Sequence, residues 1–261
     1  AVGLDEAGQV AEIGYTLTRT ARGFGYASEA LSAIVDALFD RTDVHRIVAS
    51  LDPANIASMR VVEGQGFVVE GCARRAVLIR DEWLDDLRYA LLREDRRAWT
   101  ERPRTFQHLE LVELHADNIR QYSLLSTHRS QERFVAPMWA SMRAALFPEV
   151  IDGAAVVPWM RGIEVDGEAA GFVMLAAVTP AHPDPYLWRL LIDRLHQRRG
   201  IGSAVLSTLA AQLRDQGCER LLTSWTEGPG GPRPFYERHG FETTGNVIEG
   251  ETEGVLDLTG G

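Results

Sequence analysis

The chain contains no lysine; all 27 of its basic side chains are arginines. Schiff-base chemistry and acetylation of its own lysines are therefore excluded. So is a Walker-type phosphate loop, whose lysine reaches the terminal phosphates. Cysteine is nearly as scarce. Cys72 and Cys218 are the only two in 261 residues, too few for a disulfide framework, and they fit a reducing, cytoplasmic setting. No apolar run is long enough to span a bilayer, and the opening residues do not read as a basic-then-apolar leader. Positive charge is short too. The formal net charge of -10 argues against nucleic acid as a partner, because a phosphate backbone needs a basic face. It fits either a cationic small-molecule partner or simply a soluble acidic surface.

What is present is a globular composition, 45% hydrophobic and 25% charged, at a length that allows one large domain or two small ones. Internal repetition decides for two. Arg22-Gly-Phe-Gly25-Tyr-Ala27 opens a stretch with Leu31, Ile34, Val35 and Leu38 at helical spacing, which predicts an amphipathic helix. Gln197-Arg-Arg-Gly200-Ile-Gly202 does the same ahead of Val205, Leu209 and Leu213. Further along, Gly66-Phe67 and Gly240-Phe241 each follow a short predicted helix. The two pairs of landmarks lie 175 and 174 residues apart, the signature of a duplicated domain. The first copy is placed at 1–99, a linker at 100–107 and the second copy at 108–258.

In the first copy the pattern predicts strands at 2–4 and 11–17, a helix at 27–39, a strand at 46–51, a short helix at 55–64 and closing strands near 67–72 and 88–92. The Arg-rich stretch Trp99–Thr105 reads as linker. In the second copy, strands are expected at 108–114, 156–165, 169–178, 186–195, 220–226, 241–247 and 254–258. The two at 156–165 and 169–178 form a hairpin across Asp166-Gly167, a strong turn signal. Helices are expected after Asp117 as N-cap, over 133–146 (with Pro137 near its start), over 202–216 and over 233–239. The first copy lacks the opening strand and two helices of the second, and Ala1 already reads as strand, so it is expected to be truncated at its N-terminus.

A glycine turn ahead of a helix admits many anions. Glycines let backbone N–H groups approach, and the helix N-terminus adds the positive end of its dipole. A Rossmann fingerprint needs a third glycine, but Ser28 and Val205 stand there. The spacing Gln/Arg-x-x-Gly-x-Gly/Ala, found twice, resembles the acetyl-CoA pyrophosphate loop of the GNAT superfamily of N-acetyltransferases. Glu12-Ile-Gly-Tyr15, Gly25-Tyr-Ala-Ser-Glu29, Asn55-Ile-Ala-Ser58, Gly66-Phe67, Trp83-Leu-Asp85 and Tyr89-Ala-Leu-Leu92 occur in order and make the first copy similar to ribosomal-protein N-terminal acetyltransferases. Trp188-Arg189-Leu-Leu-Ile192-Asp193, the Gln197 loop, Phe235-Tyr236-Glu-Arg-His-Gly-Phe241 and Thr244-Gly245 make the second similar to bacterial spermine/spermidine-type acetyltransferases.

The resemblance implies two α/β mixed-sheet GNAT domains in tandem, the first incomplete, with acetyl-CoA as co-substrate and a primary amine, polyamine-like, as acceptor. It implies cofactor-binding roles for Gln197, Arg198, Arg199, Gly200, Ile201 and Gly202 in the second copy, and for Arg22, Gly23, Gly25, Ala27 and Asn55 in the first. It assigns catalytic roles to Tyr236, as acid for the departing thiolate, and to Ser58, near the thioester sulfur. Asn55 is equally suited to cap the helix it opens. An asparagine common in the family a few residues before Phe235 is replaced here by Gly228-Pro-Gly-Gly-Pro232. The amine must be neutral to attack, and its pKa of roughly 10.4 calls for a base or water relay. Asp193 and Glu227 are the candidates, each equally a cap or a solvated carboxylate; in the first copy the candidate is Glu12, on a strand, which reads more as a structural residue. An oxyanion donor is expected from a backbone N–H on the strand before the Gln197 loop. The histidines do not fall at metal-ligand spacing, and no metal is expected. The alternative is a non-catalytic acyl-CoA sensor built on the same loops.

Overall fold

The computed structural model describes residues 1–151 and 153–260. The chain divides into two compact units, Ala1–Arg102 and Pro103–Gly261.

The first unit holds β1 (Val2–Leu4), β2 (Val10–Ile13), α1 (Tyr26–Arg41), β3 (Arg46–Leu51), α2 (Ile56–Glu63), β4 (Val68–Ile79), β5 (Glu82–Leu92) and α3 (Arg93–Glu101). Its sheet runs β1-β2-β3-β5-β4. Only β2 and β3 pair in parallel, as they must when a helix crosses between them. Helix α1 buries Leu31, Val35 and Phe39, one stripe at four-residue spacing, against Ala11, Ile47, Ala49 and Leu91 of the sheet.

The second unit holds β6 (Leu109–Glu113), α4 (Ile119–Ser123), α5 (Met138–Leu146), β7 (Val150–Ile151), β8 (Ala154–Ala155), β9 (Pro158–Val165), β10 (Glu168–Ala176), β11 (Tyr186–Ile192), α6 (Ile201–Asp215), β12 (Arg220–Trp225), α7 (Arg233–Arg238), β13 (Glu242–Ile248) and β14 (Glu251–Asp257). Its main sheet runs β6-β9-β10-β11-β12-β14-β13. The last five strands repeat the first unit's order and its parallel and antiparallel pairings, β11 with β12 being the parallel pair. Helices α6 and α7 pack on one face through Val205, Leu209, Leu213 and Tyr236. Helices α4 and α5 cover the other through Tyr122 and Met138, which meet Phe172, Met174 and Leu191. Asp166 and Gly167 both take positive φ, 54° and 85°, the two-residue hairpin turn that their sequence predicts.

Several elements differ from the sequence expectation. Residues 14–17 are outside β2, because pairing with β1 stops where Gly14 exchanges bonds with Ala1. Strands β4 and β5 run far past 72 and before 88 as one long hairpin, whose arginines and register shifts hide its alternation. The stretch read as linker from Trp99 lies partly in α3, where Trp99 is 8% exposed and donates to Gly64 O. Helix α5 starts at Met138 rather than 133, because Pro137 sits at its N-cap position and disfavours helical backbone before it. Asn118, not Asp117, precedes α4, and its side chain turns back to His115 N–H and Glu113 O.

Candidate functional site

Each glycine loop is shaped by backbone that ordinary residues avoid. Arg198 and Gly200 take φ of 64° and 82°, and Gly23 and Gly25 take 86° and 82°. Left-handed residues two apart curl the chain so that successive N–H groups face outward. Gly200 and Gly25 are the N-cap residues of α6 and α1, and neither helix has a side-chain cap there. The first-turn N–H groups, with the positive dipole end behind them, are thus left without a side-chain partner. A Cβ at Gly200 or Gly25 would meet nothing within 4 Å, so the concavity opens to solvent.

The loops close onto their strands in the same way. Gln197 Nε2 donates to Ile192 O at 3.1 Å, and Arg22 Nε donates to Leu17 O at 3.4 Å, so both loop-opening side chains reach back five residues. Gln197 also bonds Gln131. Arg199 is turned inward, donating to Thr105 O at 2.8 Å and pairing with Asp166 at 3.3 Å. Only its backbone is available to an anion. Its Nη1 also meets His196 Nδ1; burial lowers the His196 pKa, Asp193 opposes the shift and the Arg199 charge adds to it. Arg198 is exposed. Ile201 is buried, and a Cβ on Gly202 would come within 3.2 Å of the Phe235 ring. Gly202 therefore lets α6 and α7 approach.

The Gln197 loop stands at the end of a splayed strand pair. Strands β11 and β12 pair only at Tyr186↔Leu222 and Leu187↔Thr223, then part. Trp188 is an extra residue in β11 against β10, whose Met174 and Leu175 pair with Arg189 and Leu187. Such a bulge changes which backbone groups face each side. Beyond it, Asp193 N–H donates to Ala170 O. By the alternation of an antiparallel ladder, the backbone groups of Leu190 and Ile192 then face the gap. The strand expected to supply an oxyanion donor thus turns two backbone N–H groups toward the gap.

Tyr236 packs from the α7 side on β12 where its pairing with β11 ends, beside Thr223 and Trp225. It is 8% exposed, stacked on Trp225 at 5.5 Å and edge-on to Phe235 and Phe241. Burial pushes its pKa up to about 12; a hydrogen bond with Thr223 opposes the shift, Glu251 adds to it and Arg189 opposes it. Thr223 Oγ1 itself donates to Leu187 O at 3.0 Å. The phenol therefore keeps its proton at neutral pH and serves as the donor toward Thr223. Thr223, Trp225 and the Trp188 bulge carry no sequence signal that would have joined them to Tyr236.

Of the carboxylates named as bases, Glu12 is exposed on β2, and the other two are engaged elsewhere. Asp193 accepts from the N–H groups of Ser126 and Leu195, pinning the loop after α4 to the end of β11. Glu227 accepts from Trp225 Nε1, the largest cause of its lowered pKa, and pairs with Arg233. In the first unit, Asn55 Oδ1 accepts from Ser58 N–H at 3.1 Å, so Asn55 is the cap of α2. Tyr15 donates to Ser58 O, tying α2 to the segment after β2. Ala27 lies in the first turn of α1.

Among curated proteins, the chain is 42% identical over 87 residues to a probable N-acetyltransferase, YjcK, of Bacillus subtilis, covering 33% of this chain and 48% of that protein. It is 33% identical over 82 residues to the ribosomal-protein-serine acetyltransferase of Escherichia coli, covering 31% and 46%. The chain thus spans about half the length of the curated relatives it matches. A GNAT-family acetyltransferase structure from Bacillus anthracis aligns at 33% identity and TM-score 0.35, covering 36% of this chain and 56% of that one. Residues 1–68 match the model of an acetyltransferase (GNAT) domain. Residues 111–241, half of the chain, match that of the acetyltransferase (GNAT) family, and the chain belongs to that family, with two GNAT domains in tandem.

Proposed function

We propose that the second unit is an acetyl-CoA-dependent N-acetyltransferase acting by direct transfer on a primary amine of a small, polyamine-like cation. The observation that carries this reading is the convergence on one gap of three features. These are the N–H groups of the Gln197 loop, the backbone groups of Leu190 and Ile192, and the phenol of Tyr236. The residues present fit acetyl-CoA. The N–H groups from Arg198 to Gly202 suit its pyrophosphate, with the exposed Arg198 guanidinium beside them. Acetyl-CoA supplies the acetyl group as an activated thioester.

The proton of the attacking amine leaves to water, and the protein's own residues do the rest. An amide of Leu190 or Ile192 donates to the acetyl oxygen where negative charge develops. Tyr236 holds a proton for the departing sulfur. The gap fixes the acetyl group beside the amine. The first-unit loop, Arg22, Gly23, Gly25 and Ala27, offers a second CoA cradle, with Asn55 and Ser58 beside the pantetheine arm. On this reading the protein works in the cytoplasm, without nucleic acid or membrane as partner.

Relatives named for ribosomal proteins make a peptide N-terminus the alternative acceptor. Calorimetric titration with acetyl-CoA, together with thiol release measured across polyamines, monoamines and N-terminal peptides, tests the reading. Acetyl-CoA binding without thiol release on any acceptor would instead establish the non-catalytic sensor.

A further inference from the structure

The face of the second sheet opposite Tyr236 carries two carboxylates, Glu251 and Glu253, that no ion pair among the described residues neutralises. Trp225 and Tyr236 belong to the core under α6 and α7, so the alternate residues of β12, Ser224 and Thr226, face the other way. Ser224 pairs directly with Glu253 of β14, which puts Glu253 and, two residues before it, Glu251 on that same face. Trp188 packs into the core on this side, and Tyr186 lies two positions from it, on β11. Glu251 is half-buried and held by two hydroxyls, from Ser224 at 2.5 Å and Thr226 at 3.0 Å, one on each carboxylate oxygen. Glu253 is 8% exposed and accepts from Thr244 and Asn246 on a single oxygen.

Among the described residues neither carboxylate is in an ion pair. Arg220, which feels the charge of Glu253, is committed to Asp184 through two bonds. Arg189 donates to Trp188 O and pairs with no carboxylate among the described residues, its Nε being buried without a partner. The Tyr186 hydroxyl is buried there beside Ser224. Carboxylates withdrawn from water and left without a cation are costly unless a ligand supplies one. Their position matters as much as their charge. Glu251 is held by Ser224 and Thr226, which follow the last β11–β12 pair at Thr223, so it lies at the gap; its charge also acts on the phenols of Tyr236 and Tyr186.

We infer that Glu251 is the specificity-determining residue for the acceptor: its carboxylate, backed by Glu253, receives the positive charge of a cationic amine on the face of the gap opposite Tyr236. This rests on the acetyltransferase reading of the same gap. The Ser224 and Thr226 hydroxyls fix the carboxylate and leave each oxygen a lone pair for an ammonium. Tyr186 supplies a phenol whose oxygen accepts from the same cation.

The test compares Glu251→Gln and Glu251→Asp with the wild type, using 1,4-diaminobutane and a neutral aniline-type amine as acceptors. The expected result is a rise of about tenfold or more in KM and calorimetric Kd for diaminobutane in Glu251→Gln, the scale of one charge-assisted hydrogen bond. The aniline KM, the acetyl-CoA Kd and the Tm should stay unchanged, and Glu251→Asp should restore part of the loss. Equal losses on both acceptors would make Glu251 a structural partner of Ser224 and Thr226 and overturn the inference. So would an unchanged diaminobutane KM in an enzyme that still turns over. Failure of the wild type to bind acetyl-CoA would instead bring down the acetyltransferase reading, and this inference with it.

Discussion

Tyr236 and Val62 hold the same place in their two units. The carbonyl of each accepts from the phenylalanine five residues on, Phe241 N–H at 3.2 Å and Phe67 N–H at 3.3 Å. The second copy therefore has a phenol where the first has a buried valine that cannot give a proton. The reverse holds a few residues earlier. Asn55 and Ser58 of the first copy correspond to Pro229 and Pro232 of the second at the same 174-residue offset. On the proposed assignment, each copy carries a different part of the apparatus that the resemblance implies.

Replacing Tyr236 with Phe removes the proton donor and leaves the stacking on Trp225 in place. Thiol release should slow on the order of tenfold or more, with the acetyl-CoA Kd unchanged. A full-rate variant would remove Tyr236 from the chemistry.

The same phenol has a signature in stability. Its folded pKa, about 12, lies above the ordinary 10.0. The stabilisation from keeping it neutral is complete below pH 10 and is lost as the pH rises toward 12, because the unfolded chain gives up its proton first. Urea midpoints of the wild type should therefore fall more steeply above pH 10 than those of Tyr236→Phe. Parallel curves would show that the ring is not held in a desolvated site.

At Gly200, Asp and Asn share shape and tolerance of left-handed backbone, but only Asp adds a negative charge at the helix N-terminus. Gly200→Asp should lose most acetyl-CoA affinity in calorimetry while Gly200→Asn keeps more of it. Equal affinities in the wild type and Gly200→Asp would remove the loop from CoA binding.

A packing prediction concerns the first unit. Gly66 takes φ of 94°, and a Cβ there would stand 2.7 Å from Trp99 Cβ. Gly66→Ala should cost roughly 1–3 kcal/mol. In denaturant titrations followed by hydrogen exchange, protection should fall in α2 and α3 and remain in α6. Unchanged protection throughout would mean that Trp99 does not pack there.

The parts legible in the sequence are those that repeat or that demand one residue type. Gly25 and Gly200 need left-handed backbone, and Leu31–Val35 and Val205–Leu209–Leu213 write their helices in four-residue steps. Asp166-Gly167 specifies its own turn. Helix α3 was hidden because Arg93, Arg96 and Arg97 look like a solvated linker, whereas Arg96 pairs with Asp36 and Arg93 donates to the carbonyls of Thr42 and Val44. The Trp188 bulge depends on the register of two strands, which no local pattern encodes. Glu251 meets Ser224 and Thr226 only because β14 returns antiparallel to β12, a contact across 25 to 27 residues. Tyr236 was found from its place in a motif; its burial and its Thr223 partner required the fold.

The central claim is that the second unit carries the chemistry, and one comparison tests it most directly. Acetyl-CoA-dependent thiol release with a polyamine acceptor is measured for Gly25→Asp and Gly200→Asp side by side. The account predicts that Gly25→Asp retains nearly full turnover, because its copy has Val62 in place of a phenol, and that Gly200→Asp loses it. Turnover abolished by Gly25→Asp and preserved in Gly200→Asp would place the reaction in the first unit and contradict the account.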